Sequence, residues 1–269
     1  MPKLSAEENV AAIYSTLARA WGRQHWWPAK SRFEVIVGAY LTQNTSWRNV
    51  EIAMRELRTA RVLSVEEMRT ISLSRLERLI RSSGYFQQKA RNLKTFVKFV
   101  DEKYGGSLNR MFAQPTAELR EQLLSLNGVG PETADSILLY AGQHPVFVVD
   151  AYTRRMAVRH GILSDKASYE EIRSLFERAL IQTGHIQFPG VDARDYTVRV
   201  GTEIHNRPRS AIGSAAHPPS RMSLAKRTPL AQIFNEMHGL IVSAGKQYCL
   251  KSNAQCEQCP LGPLLPTRN

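Results

Sequence analysis

Cysteine is scarce in this sequence, with three among 269 residues, at positions 249, 256 and 259. An odd number clustered near one end is not typical of a disulfide framework. Long apolar runs are also lacking, which excludes a transmembrane helix. Residues 1–8 are polar and lack the apolar core of a signal peptide. We therefore expect a cytoplasmic protein without a membrane partner, associated with the nucleoid if its source is bacterial.

Acidic residues are in the minority. Lys and Arg number 36 against 24 Asp and Glu, which gives a formal net charge of +12. A surplus of this size favours a polyanionic partner, and nucleic acid is the commonest one. An acidic membrane surface is the competing partner, but the sequence has no basic amphipathic anchor. With 43% hydrophobic residues, the chain can form a packed core in one large or two modest domains.

Sustained alternation of apolar and polar residues, typical of β-strands, is also missing. Apolar residues recur instead at helical spacing, as in Val10, Ile13, Tyr14 and Leu17. The sequence therefore predicts an all-α fold. The predicted helices cover residues 10–21, 33–41, 49–57, 65–71, 75–80, 90–103, 116–124, 132–140, 152–160, 169–181 and 229–245.

Residues 185–227 depart from the helical pattern. This segment contains four prolines, little apolar periodicity and more basic than acidic residues. Loops of this length inside a domain are uncommon and are either functional or disordered. The composition predicts a flexible surface insertion, with a dedicated DNA-binding arm as the alternative.

A glycine-rich turn at residues 126–134 is the most informative motif. Gly128 and Gly130 flank one apolar residue, and Pro131 follows at a position suited to the first turn of a helix. The N–H groups of such a turn form a site for a phosphate anion. Asp150 then follows an apolar run at 146–149. A phosphate site and a positioned carboxylate together indicate chemistry on nucleic acid.

This pairing resembles the helix-hairpin-helix (HhH-GPD) superfamily of DNA glycosylases, in particular its endonuclease III-like members. Residues 39–47, 83–93 and 249–259 are similar to further family segments in the same order. The resemblance implies two helical lobes with a DNA-binding cleft between them. One lobe spans 31–145 and carries the helix-hairpin-helix motif at about 116–141. The second, discontinuous lobe combines 1–30 with 146–269.

The resemblance also implies roles for individual residues. Asp150 matches the catalytic aspartate, although an Asp at this place also suits a helix N-cap, and both roles can hold at once. Glu132 stands where bifunctional members carry the lysine that forms a Schiff base, so we expect a monofunctional enzyme with little or no AP lyase activity. The residues expected to contact DNA are Gln43, Lys89, Arg91, Gly128, Val129, Gly130 and Thr133.

The tryptophans bear on the substrate. Trp26, Trp27 and Trp47 are expected to line a base pocket, in an arrangement that resembles the type III 3-methyladenine DNA glycosylases. We therefore expect a monomeric base excision repair enzyme that hydrolyses the N-glycosidic bond of an N-alkylated purine in double-stranded DNA. One alternative is an endonuclease III-like enzyme for oxidised pyrimidines or mismatches. Another is a non-catalytic DNA-binding module.

The cysteines depart from the family pattern, Cys-x6-Cys-x2-Cys-x5-Cys, which holds a [4Fe–4S] cluster. Cys249, Cys256 and Cys259 fit its first three positions, but Leu265 takes the fourth. Three states of the loop 249–265 remain open: loss of the cluster, a cluster completed by water or a remote ligand such as His144 or His160, and zinc on three cysteines with a fourth donor. We expect loss of the cluster and a reaction that requires no cofactor.

Overall fold

Helices make up the regular structure in the computed structural model, which describes residues 4–182 and 217–266. No strand occurs in these two stretches, in agreement with the predicted all-α class. None of the helices in the same stretches is long and apolar enough to cross a membrane. The predicted insertion at 185–227 lies outside the described residues as far as position 216.

The described residues divide into two units. The hairpin unit comprises residues 27–148 and 218–226, and the terminal unit comprises residues 4–26, 149–182, 217 and 227–266. The segment 218–226, predicted to lie in the second lobe, belongs to the hairpin unit. Its backbone explains this placement, because the Met222 N–H donates to the Ala29 carbonyl at 3.1 Å.

The hairpin unit forms around a helix that is buried on nearly every side. This helix, α2, buries residues 33–41 and follows the N-cap Ser31, whose hydroxyl accepts from the Glu34 N–H. The helices of this unit are α2 (Arg32–Thr42), α3 (Trp47–Thr59), α4 (Val65–Thr70), α5 (Leu73–Leu79), α6 (Phe86–Tyr104), α7 (Leu108–Met111), α8 (Thr116–Leu124) and α9 (Pro131–Ser136).

The terminal unit forms around another buried helix, α12 (Pro229–Gln247), which follows the N-cap Thr228. The other helices of this unit are α1 (Ala6–Trp21), α10 (Ala151–Arg159) and α11 (Tyr169–Gln182). A close approach joins α10 to α12. A Cβ at Gly245 would lie 2.2 Å from Cδ1 of Tyr152, so only glycine fits at this crossing.

Two elements differ from the sequence-based prediction. The helix predicted over 132–140 leaves α-helical geometry after Ser136 and continues as a π-helix over Ile137–Gly142. A Cβ at Gly142 would lie 2.5 Å from the Phe112 ring, which shows how tightly the chain packs where this turn ends. The short helix α7 was not predicted, because four residues are too few to display a helical period.

Candidate active site

The hairpin between α8 and α9 is tightly packed at its first glycine, Gly128, and has free space beside its second, Gly130. Gly128 has a φ of +78°, and a Cβ there would lie 1.9 Å from Nδ2 of the buried Asn92. Gly130 has a φ of −92° and no neighbouring atom within 4 Å of an added Cβ. Val129 between them is buried. The first glycine is therefore required by the fold, whereas the second leaves open space beside its backbone.

Gln43 connects the end of α2 to this hairpin. Its Nε2 donates to the Gly128 carbonyl at 2.9 Å and to Oγ1 of Thr133 at 2.8 Å. Gln43 is the C-cap residue of α2, and Thr133 lies in the first turn of α9. The structure thus brings together three of the residues predicted to contact DNA.

Lys89 lies in a different environment from the predicted phosphate contact. Its side chain is buried, and Nζ donates to the carbonyls of Leu41 at 2.9 Å and Ser83 at 2.7 Å. Burial lowers the pKa of the Lys89 ammonium to about 8. The ammonium therefore joins two turns of the fold and does not face solvent, which corrects the expected DNA contact. Arg91 is exposed, and its contact with DNA stays a prediction.

Two of the three predicted pocket tryptophans pack together in the hairpin unit. The rings of Trp27 and Trp47 meet edge to face, with their centroids 5.3 Å apart. Trp27 is buried and also packs on Tyr140 at 5.3 Å, whereas Trp47 is half-buried and donates from Nε1 to Glu51 at 2.8 Å. Trp47 is therefore the more accessible of the two indoles.

Asp150 caps helix α10. Its Oδ1 accepts from the Thr153 N–H at 2.7 Å and from the Thr153 hydroxyl at 3.0 Å. These two bonds fix the plane of the carboxylate and leave Oδ2 outside the cap. The N-cap interpretation of Asp150 is therefore confirmed, and its catalytic role stays a prediction.

Oδ2 of Asp150 faces a histidine that sequence reasoning did not assign to the site. Nε2 of His238, in the middle of α12, lies 3.6 Å from this oxygen. Burial lowers the pKa of His238, and the charge of Asp150 opposes that shift. Trp26 packs beside the same histidine, with ring centroids 6.1 Å apart, and Nζ of Lys246 lies 5.8 Å from the centroid of the Trp26 ring. In the sequence, His238 could have been identified as a buried histidine because it lies within a run of apolar helical residues.

Position 132 carries an exposed carboxylate in the first turn of α9. An acid near a helix N-terminus is favoured by the helix dipole. A carboxylate cannot attack C1′ as an amine does, so this position does not supply a Schiff base.

The cysteine loop follows α12 in the terminal unit. Cys249 is buried, and its Sγ accepts from Nη1 of Arg159 at 3.2 Å. Burial raises the pKa of the Cys259 thiol, and the nearby Cys249 and Cys256 thiols raise it further. Within residues 4–182 and 217–266, no three His, Cys, Asp or Glu side chains are grouped so as to hold a single metal ion.

Several known proteins are similar to this chain, and they agree on its family. The family model of the HhH-GPD superfamily base excision DNA repair proteins matches residues 37–181. A Methanocaldococcus jannaschii protein named "Putative DNA repair glycosylase MJ1434" is 38% identical over 255 residues, which cover 94% of both chains. Endonuclease III of Thermotoga maritima is 29% identical over 143 residues, which cover 53% of this chain and 63% of that protein.

A solved structure extends the similarity to three dimensions. The H. pylori 3-methyladenine DNA glycosylase bound to 1,N6-ethenoadenine has a TM-score of 0.68 to this chain, at 25% identity. The similarity covers 91% of this chain and 98% of the H. pylori protein. The chain belongs to the HhH-GPD superfamily of base excision DNA repair proteins, as an endonuclease III-like DNA glycosylase.

Proposed function

We propose that the protein is a monofunctional DNA glycosylase that releases N-alkylated purines from double-stranded DNA. Two carboxylates, one in each unit, carry the proposal. Asp150 is held by its helix cap, and an acid stands at position 132 in place of an amine nucleophile. Hydrolysis with water as the nucleophile needs the first carboxylate and has no use for an amine.

Asp150 acts on the sugar of a nucleotide that has left the base stack, since C1′ cannot be reached inside a duplex. Breaking the N-glycosidic bond builds positive charge on the sugar, which a carboxylate stabilises while it orients a water molecule. With Oδ1 engaged by Thr153, Oδ2 is the oxygen for this task. His238 lies beside this oxygen, and burial lowers the pKa of its ring while the charge of Asp150 opposes that shift.

The hairpin binds the DNA backbone. Its N–H groups lie at the start of α9, where the helix dipole favours an anion, and the space beside Gly130 admits a phosphate. Gln43 adds a polar side chain bonded to the same loop. The formal charge of +12 adds a sequence-independent attraction that weakens as salt rises.

Two lines of support favour an alkylated purine as substrate. One is the similarity to the H. pylori 3-methyladenine enzyme over 91% of the chain. The other is the set of indoles, because an electron-poor alkylated base stacks on an electron-rich indole with a cation–π contribution. Trp47, half-buried at the edge of Trp27, offers such a face.

The proposal is tested by chromatography of the bases released from methylated DNA, before any treatment that cleaves strands. We expect free 3-methyladenine with intact abasic strands, and no release by Asp150→Asn, which keeps the helix cap but removes the charge. Equal release by Asp150→Asn and the natural protein would refute the mechanism. Release of oxidised pyrimidines instead would make the endonuclease III-like alternative the better description, and no release from any damaged DNA would favour a binding module.

Borohydride trapping on abasic DNA tests the second carboxylate separately. We expect no covalent complex with the natural protein and a trapped complex with Glu132→Lys, because the new amine stands where the Schiff base forms in bifunctional relatives. Glu56→Lys, at an exposed site on α3, is the matched control for the change of charge and should not be trapped. A complex with the natural protein would show that another amine serves as nucleophile.

A further inference from the structure

A small cavity in the terminal unit joins the cysteine loop to the end of α10. Its lining combines the three cysteines with basic and apolar side chains. Among the residues around it are Cys249, Cys256, Cys259, Arg159, His160 and Leu265. Leu265, at the fourth position of the family's cysteine spacing, therefore lines the same cavity as His160, a histidine that the spacing does not include.

His160 is oriented by the segment that lacks the fourth cysteine. It is the C-cap residue of α10 and is 9% exposed. Its Nδ1 lies 3.3 Å from the carbonyl oxygen of Leu264, the residue before Leu265. When Nδ1 carries the proton and donates to this carbonyl, Nε2 keeps a free lone pair. A histidine that binds a metal is usually held in this way, by a hydrogen bond from its other ring nitrogen.

The donor set around the cavity, three thiols and one imidazole, has the chemistry of iron–sulfur cluster ligands. In a [4Fe–4S] cluster each protein ligand binds a different iron, so the ligands stand apart around one cavity. The three cysteines also keep the spacing of the first three cluster ligands.

Two arginines of α10 hold the cysteine loop, and one of them, Arg159, also lines the cavity, which suits a negatively charged group. The Arg159 guanidinium donates to Sγ of Cys249 at 3.2 Å, and Nε of Arg155 donates to the Cys249 carbonyl at 2.6 Å. Hydrogen bonds to ligand sulfurs are among the factors that adjust the potential of iron–sulfur clusters. The loop is thus held by α10 through both its backbone and its first thiol.

We propose that His160 is the fourth protein ligand of a [4Fe–4S] cluster bound by Cys249, Cys256 and Cys259. In this ligand set, a neutral imidazole from the end of α10 takes the place of the fourth thiolate of the family's cluster. Because this change makes the cluster less negative, its reduction potential is higher than with four thiolates, in the direction that histidine ligands give in Rieske centres.

The test is the iron and acid-labile sulfide content of the full-length protein, purified without oxygen and reconstituted with iron and sulfide. We expect about four irons per chain. His160→Ala should bind less iron and lose it faster in air, whereas His144→Ala, which removes a buried histidine of the hairpin unit, should leave the iron content unchanged. Far-ultraviolet circular dichroism verifies that each variant is folded.

Leu265→Cys shows whether a loss of iron in His160→Ala comes from the missing ligand or from a folding defect. In the His160→Ala background it should restore the iron content, because it supplies the missing thiolate. In the natural background it should lower the reduction potential measured by protein-film voltammetry. Equal iron content in His160→Ala and the natural protein, zinc in place of iron, or no cluster after reconstitution would overturn the proposal. None of these readouts depends on base release, so the proposed function is judged separately.

Discussion

Replacement of Gly128 by alanine tests how the hairpin is fixed to the fold. Two costs add at this position. A φ of +78° lies in the left-handed region, where a non-glycine residue costs about 1–2 kcal/mol. In addition, the new Cβ would lie 1.9 Å from Nδ2 and 2.7 Å from Cγ of Asn92, so this side chain must move.

Movement of Asn92 has its own cost. Its Oδ1 accepts from Nε2 of Gln88 at 2.9 Å, and the side chain is only 4% exposed. Loss of that hydrogen bond costs about 1 kcal/mol. We therefore expect Gly128→Ala to lower the free energy of unfolding by about 2–3 kcal/mol, the combined cost of the left-handed backbone and the lost bond.

Urea denaturation, followed by circular dichroism, measures this change against two controls. Gly130→Ala adds the same methyl group at a φ of −92° with no neighbour within 4 Å, so it should leave stability unchanged or raise it by up to about 1 kcal/mol. In the Asn92→Ala background the overlap is removed, so Gly128→Ala should cost only the backbone contribution. Equal stabilities for the two glycine variants would refute the steric argument, as would strict additivity in the double variant.

Two further predictions concern Gln43 and acid stability. Gln43→Ala removes the side chain that donates to the Gly128 carbonyl and to Thr133. We therefore expect the free energy of unfolding to fall by about 1 kcal/mol and the α9 amides to exchange hydrogen faster. Unchanged exchange would show that the hairpin does not depend on this side chain. Burial lowers the pKa of His144, His160 and His238, so below pH 6.5 the unfolded chain binds protons that the folded chain does not. The free energy of unfolding of the metal-free protein should therefore fall as pH drops below 6.5, by up to about 1.4 kcal/mol per pH unit and histidine, and urea titrations at pH 5 and 7.5 check this. Burial raises the pKa of Glu236, which acts in the opposite direction, so equal stability at the two pH values in the Glu236→Gln background would contradict the assigned burial of the histidines.

Helical periodicity predicted most elements well, because each helix has an apolar face toward its unit's core. Helix α8 begins and ends where the sequence predicted. Lys89 was predicted to contact DNA, although its position in the helical period indicates a buried side chain. With Leu93 and Phe96 it lies on the apolar stripe of α6, which places its side chain inside. Its carbonyl partners come from other segments, and the sequence alone gives no way to identify them.

Tertiary contacts place two histidines near the sites: His238, which the sequence did not indicate, and His160, which it named only as one of two possible remote ligands. His238 approaches Asp150 because α12 packs against α10, and His160 reaches the cysteine cavity because α10 ends beside the loop. Neither contact can be deduced from the separation of the two residues along the chain. The cysteine pattern, in contrast, is local, so the missing fourth thiol could be read directly at Leu265.

The two bonds from Thr153 to one oxygen of Asp150 have an evolutionary consequence. Asparagine keeps the helix start but discards the charge, whereas glutamate keeps the charge but is not among the residues that favour an N-cap. If the proposed chemistry holds, every single substitution at position 150 sacrifices either the helix start or the reaction. Aspartate is therefore the residue at which the demands of the helix start and of the reaction coincide, and drift away from it has no neutral path.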